Sequence, residues 1–278
     1  MRLHEIHRLP KTTKVLWLLC LWLCTGCDPF NTDFADVESA VDYRAQAPET
    51  DNDERSELKV MTWNIKFGGG NIHFFFDCHG ERVLMSETEV INNLEAIAQF
   101  IESREPDILL LQEVDVLSKR SAYVDMVRWL LDNTYLSHGV YASQWKADFI
   151  PSDGIGRVDS GNAILSRWPI EDATRIALPL IGEQDGLTRY FYLKRNILKG
   201  RIQVPGAGEL HVINTHLSAY SSDGTKKKQI DQVVALMDEI AGEGHKVLMG
   251  GDLNTMPAGT EKRTGFGDQA CHGARRID

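Results

Sequence analysis

This 278-residue sequence lacks a compositional bias, a repeat at any fixed period and a surplus of positive charge. Each absence narrows what the chain can be. With 42% hydrophobic and 25% charged residues, and 23 glycines and 9 prolines in no regular pattern, it is neither collagen-like, low-complexity nor wholly disordered. Without a repeat it is not a solenoid, and a single α/β domain is the simplest organisation. The net charge of −10, from 30 Lys and Arg against 40 Asp and Glu, leaves no bulk basic footprint of the kind that supplies most duplex affinity. Long apolar runs are missing too. The longest, Val15 to Leu23, ends well short of the roughly 20 residues needed to span a bilayer.

What is present begins with an export pattern over residues 1–26. A basic region reaches Lys14, the short apolar run follows, and the small residues Thr25 and Gly26 precede Cys27, as in a secretory signal. Leu23-Cys24-Thr25-Gly26-Cys27 resembles the lipobox of bacterial lipoproteins, which implies lipidation of Cys27, attachment to a membrane through that lipid, and residence in the bacterial cell envelope. Residues 27–57 hold ten acids against Arg44 and Arg55 and few large apolar side chains, so a flexible acidic tether is expected. With Cys20 and Cys24 leaving in the signal and Cys27 consumed by lipid, Cys78 and Cys271 are the two thiols left to the mature domain.

From Leu58 onward, short apolar strands alternate with amphipathic helices. Leu58–Ile65 and Ile108–Leu111 read as buried strands. Between them Ser86-Glu87-Thr88-Glu89 is a capping box that opens a helix with Val90, Leu94, Ile97 and Ile101 on one face, closed by Glu105-Pro106. A helix near Ala122–Leu131 is expected next. Strands follow around Asn162–Ser166, Phe191–Leu193, Gly200–Gln203 and Leu210–Thr215. Thr225 is placed to cap a helix burying Ile230, Val233, Val234, Met237 and Ile240, and Lys246–Met249 forms a last strand.

Polar residues able to do chemistry recur just past these strands: Asn64, Glu113, Asn214 with His216, and Asp252 with Asn254. Strand ends hold side chains rigidly, and the loops there share a crevice. Singly, each has a plainer reading: a turn former at Asn64, a surface acid at Glu113, a core histidine at His216, an Asx turn at Asp252-Leu253-Asn254. The strings Thr62-Trp63-Asn64-Ile65, Leu111-Gln112-Glu113-Val114, Gly161–Arg167, Asn214-Thr215-His216-Leu217 and Gly251-Asp252-Leu253-Asn254 occur in one order. Together they resemble the endonuclease/exonuclease/phosphatase superfamily, over about Leu58 to Pro257.

The resemblance implies a four-layer α/β sandwich, two packed mixed sheets flanked by helices, that cleaves phosphoesters with Mg²⁺ or Mn²⁺. It implies Glu113 as the metal carboxylate, aided by Asn64. His216 would hydrogen-bond a phosphoryl oxygen, Asp252 would orient or deprotonate the attacking water, and Asn254 would hold the phosphate in line. Asn214 and Asn162 are the candidate substrate contacts. The substrate class stays open among nucleic acid, phospholipid and small phosphate esters, with the protein a monomer. Lys226-Lys227-Lys228 is either a solvated cluster or an attractor for a polyanion, and Phe74-Phe75-Phe76 either packs inward or forms an apolar finger.

The superfamily's late Asp-His pair has no counterpart after Asn254, so residues 58–278 read as a domain incomplete or divergent at its carboxyl end. Two outcomes remain open on this reading, an active hydrolase or an inactive cell-surface binding module. If both strand-end loops emerge at one metal site, Cys78 and Cys271 can pair as a disulfide.

Overall fold

The computed structural model describes residues 28–48, 51–77, 80–182, 184–219, 221–256 and 259. Cys27, Cys78 and Cys271, and with them the lipid attachment and the disulfide, lie outside the described residues. In chain order the strands are β1 (Val37–Ser39), β2 (Val41–Arg44), β3 (Val60–Asn64), β4 (Ile108–Asp115), β5 (His138–Ile150), β6 (Gly156–Ser166), β7 (Ile170–Ala177), β8 (Asn196–Val204), β9 (Gly208–His216) and β10 (Lys246–Asp252). The helices are α1 (Glu87–Arg104), α2 (Met126–Asp132), α3 (Gly186–Phe191) and α4 (Thr225–Gly242).

The apolar run at Ile108–Leu111 feeds both faces of one sheet. Ile108 and Leu110 point into the layer between the sheets, with Val140, Ile164, Leu198, Ile202 and Val212. Leu109 and Leu111 point outward onto Val90, Leu94, Ile97 and Ile101 of α1 and onto Met126 and Leu130 of α2. On the far side, Ile197 and Ile213 pack beneath Val233 and Ile240 of α4. Helices, sheet, sheet and helix therefore form the expected four layers. One sheet runs β2-β5-β6-β4-β3 and the other β1-β7-β8-β9-β10.

Each sheet is antiparallel except at one end, where β3 runs parallel to β4 and β9 parallel to β10. These two parallel pairs deliver the carboxyl ends of four strands to one place. Close approach there requires glycine: at Gly251 φ is +148°, and an added Cβ would sit 2.1 Å from the Thr215 carbonyl oxygen on β9. Gly251→Ala is expected to cost on the order of 3 kcal/mol, measurable as a lower urea midpoint at unchanged slope.

Several sequence expectations change. Part of the presumed tether is structured, since β1 pairs with β7 in one sheet and β2 with β5 in the other. Edge strands are held by main-chain pairing rather than by large apolar side chains, and acidic charge suits an edge, so composition alone missed them. No strand forms at Phe191–Leu193. Asp185 accepts the N–H groups of Leu187 and Thr188 and starts α3 there instead. Gly224, not Thr225, is the N-cap of α4, and the Asp223 carboxylate takes the Thr225 N–H at 2.9 Å. Val234 of that helix is exposed. Ser86 and Glu89 form the expected capping box on α1.

Phe74 is buried against Phe67 at 4.7 Å between ring centroids, while Phe76 stacks on Phe74 and stays partly exposed. The rings mostly pack inward. Among the described residues no helix is long and apolar enough to cross a membrane.

Candidate active site

Asn64 ends β3, His216 ends β9 and Asp252 ends β10, while Glu113 sits two residues before the end of β4. A local irregularity aims Glu113. The pairing of β4 with β6 shifts between Leu111 and Val114, and Glu113 takes a left-handed conformation, φ +54°, rare for a side chain that is not glycine. This bulge turns the carboxylate out of the strand's alternation and toward Asn64. Asn64 Nδ2 donates to Glu113 Oε1 and to Asp252 Oδ2, each at 2.9 Å, so one amide holds two carboxylates together. Its oxygen accepts the Lys66 N–H at 3.0 Å, which fixes the amide's orientation.

His216 stands beside them, only 3% exposed. Its Nε2 lies 3.6 Å from Asp252 Oδ2 and its Nδ1 3.4 Å from Gln144 Nε2. Gln144 Oε1 in turn accepts from Arg195 Nη1 at 3.0 Å. Arg195 can only donate, so Gln144 Oε1 accepts from it, the Gln144 NH₂ faces Nδ1, and the neutral imidazole carries its proton on Nε2, which lies 3.6 Å from Asp252, beyond hydrogen-bond reach.

Burial, and then the nearby Arg195 charge, push the His216 pKa down to about 3 against the pull of Asp252. The ring is neutral at neutral pH. Partial burial favours protonation of Asp252, but the hydrogen bonds from Asn64 and the Asn254 N–H, with the nearby His216 and Arg195, hold its carboxyl below the ordinary value. Burial lowers the Arg195 pKa while Glu113 and Asp252 raise it, so this enclosed guanidinium is the counter-charge to the carboxylate pair.

A cleft of about 370 Å³ opens over this cluster, lined by Thr62, Asn64, Gln112, Asp252, Asn254 and their neighbours. Asn254 reaches it from a left-handed backbone, φ +48°, with its side-chain amide spent on the Leu217 carbonyl at 2.8 Å. It braces two loops rather than presenting that amide to a phosphate. Lys226 Nζ bonds the Asn254 carbonyl at 2.7 Å, and Lys227 pairs with Asp231 at 2.6 Å, so two of the three lysines are engaged locally.

The two candidate substrate contacts lie elsewhere. Asn214 is fully buried, with its oxygen on Gln112 Nε2 at 2.7 Å and its NH₂ shared between the Leu111 and Ala163 carbonyls at 2.8 Å. It ties the two sheets together beneath the cleft. Asn162 is equally buried and donates to Asn196 Oδ1 at 3.1 Å. Both side chains point into the layer between the sheets, the face of β9 that His216 also shares, but they sit deeper along their strands, with no exposed surface toward the cleft.

Gln144 and Arg195 went unread in the sequence. Nothing local marks them, since their role depends on β5 and the residue before β8 meeting at the His216 ring.

A model of the Endonuclease/Exonuclease/phosphatase family matches residues 61–278. The chain belongs to this family, a family of phosphoester hydrolases. Among solved structures, the crystal structure of an endonuclease/exonuclease/phosphatase from Beutenbergia cavernae shares the fold at TM-score 0.50 and 24% identity, covering 71% of this chain and 47% of that one. The chain thus spans about half the length of that protein. The human Nocturnin catalytic domain with bound sulfate matches at TM-score 0.47 and 18% identity, over 84% of this chain and 71% of that one. A mannosyl-6-phosphatase of Bacteroides thetaiotaomicron matches at TM-score 0.47 and 16% identity, over 71% and 66%. No curated protein sequence matches this chain.

Proposed function

We propose that this family member is an exported, metal-dependent phosphodiesterase or phosphatase, anchored to the bacterial cell envelope by lipid on Cys27. One observation carries the chemistry. A single amide, Asn64 Nδ2, gathers Glu113 and Asp252 beside an open cleft that Asn64 and Asp252 line, next to a neutral histidine and a buried arginine. Two carboxylates held this close repel one another beyond what one guanidinium offsets, and an oxygen-donor pair of this kind suits Mg²⁺ or Mn²⁺, which needs only one or two protein carboxylates.

Glu113 would hold the ion, with Asn64 fixing the carboxylate's position from its NH₂ group. When bound, the ion supplies charge neutralisation at the phosphoryl oxygens. The chain's own residues do the rest. Asp252, unprotonated and lining the cleft, orients the attacking water and accepts its proton. His216 Nε2–H is the donor for a non-bridging oxygen as negative charge builds there, and the Gln144 amide keeps that proton on Nε2. Arg195 balances the carboxylates from below. The net charge of −10 favours a small phosphate ester or a phospholipid headgroup over a tightly held duplex.

Hydrolysis of bis-p-nitrophenyl phosphate and p-nitrophenyl phosphate by the full chain tests this reading. Turnover with millimolar Mg²⁺ or Mn²⁺ that stops in excess EDTA and returns on adding the metal is expected. Metal-independent background rates on both esters would favour an inactive binding module.

A further inference from the structure

Three side chains that take no part in the cleft converge at the opposite end of the second sheet. Glu209 and His211 stand at the start of β9, and His211 precedes His216 by five residues, about 17 Å along a strand at roughly 3.3 Å per residue. Alternate residues share a face, so both point to the side where Ile213 packs beneath α4, while Leu210 and Val212 point between the sheets. His245 follows α4 directly. Its N–H bonds the Ile240 carbonyl at 3.2 Å as the chain turns into β10, whose Lys246 registers with Leu210.

The ligand-bearing atoms are close. Glu209 Oε1 lies 3.3 Å from His211 Nε2 and 3.2 Å from His245 Nδ1, and all three fall within 4.8 Å of one another. Tetrahedral zinc, with bonds of about 2.0–2.2 Å to nitrogen and oxygen, sets its ligand atoms about 3.3 Å apart. Both His211 ring nitrogens are shut off from solvent and have no aligned hydrogen-bond partner among the described residues. An ion on Nε2 would replace its misaligned contact with Glu209 Oε1 by a direct bond. The carboxylate is already oriented, because its Oε2 accepts from Arg201 Nη1 at 2.7 Å, and Arg201 is itself countered by Glu171 at 3.1 Å and Asp172 at 2.6 Å. The carbonyl end of α4, with no basic residue in its last turn, adds negative potential beside the site.

We propose that Glu209, His211 and His245 bind a zinc ion, with water completing the shell through the exposed His245 side. Two imidazoles and one carboxylate favour a first-row transition ion over Mg²⁺, so this site and the cleft select different metals. The ion would pin the start of β9 to the turn between α4 and β10. The inference stands apart from the reading of the cleft.

Titration calorimetry with ZnCl₂ on EDTA-stripped, dialysed full chain in millimolar MgCl₂ tests it. One equivalent of zinc is expected to bind. His245→Ala, which alters an exposed side chain and leaves the core untouched, should weaken it at least tenfold, by about the 10–100-fold that lesser changes around metal sites produce. Glu113→Gln should bind zinc as the wild type does. Cobalt in place of zinc should give the visible absorption of a four-coordinate ion, absent in His245→Ala. Equal zinc affinity in wild type and His245→Ala, loss of zinc binding in Glu113→Gln, or no binding at micromolar zinc would each overturn the assignment.

Discussion

Glu113→Gln is expected to fold like the wild type and to lose about 10³-fold in metal-dependent turnover, the rate equivalent of several kcal/mol of charge stabilisation. The substitution keeps size and shape. Its amide oxygen can still accept from Asn64 Nδ2, the hydrogen bond that the carboxylate accepts at 2.9 Å, so the bulge in β4 has no reason to relax. What disappears is the negative charge. Ligand stabilisation separates that loss from misfolding, since a metal present at 100 times its Kd raises stability by about 2.7 kcal/mol and a metal that no longer binds raises it by nothing. The wild type should therefore melt higher in millimolar Mg²⁺ than in EDTA, and the variant should melt at one temperature in both. An unchanged magnesium shift in Glu113→Gln would place the cation elsewhere.

That prediction rests on a feature the sequence shows only in part. The apolar run before Glu113 announces a buried strand and an acid at its end, but the left-handed backbone that aims the acid arises from a register shift against β6, a partner some 50 residues away. Local signals carried the capping box at Ser86 and the helix it opens, because both sides of that interaction lie within four residues. Signals of long range did not. Asn214 and Asn162 looked like substrate contacts from their place beside His216 and within a family-like string, yet both lie deep between the sheets, where Asn214 bridges the Leu111 and Ala163 carbonyls and Asn162 donates to the Asn196 side chain. β1 and β2 escaped notice because edge strands need backbone partners more than apolar side chains. Arg195 and Gln144 gain meaning only when the residue before β8 and a residue of β5, from different sheets, meet at one imidazole. The family-like strings thus located the site, while three-dimensional pairing decided which of their residues face the cleft.

The same pairing governs His216. His216→Ala should cost about 10²–10³-fold in kcat, the usual effect of deleting one donor to a developing oxyanion, while leaving the magnesium-dependent rise in melting temperature within error of the wild type. Gln144→Leu should have a smaller effect of the same kind, because it frees the ring to carry its proton on Nδ1 without removing the ring. The ring's protonation also links to stability. Its folded pKa of about 3 lies below the ordinary unfolded value of about 6.5, so between these limits the unfolded chain binds the extra proton. Stability from this group is complete above about pH 6.5 and declines as pH falls toward 3. Urea unfolding in EDTA, to exclude bound metal, should therefore show a wild type that weakens from pH 6.5 to 4.5 more steeply than His216→Gln, whose side chain does not titrate. Parallel slopes in the two proteins would mean that the imidazole is already protonated in the folded state, and with a cation at that position the direction of donors from Arg195 through Gln144 to His216 would no longer hold.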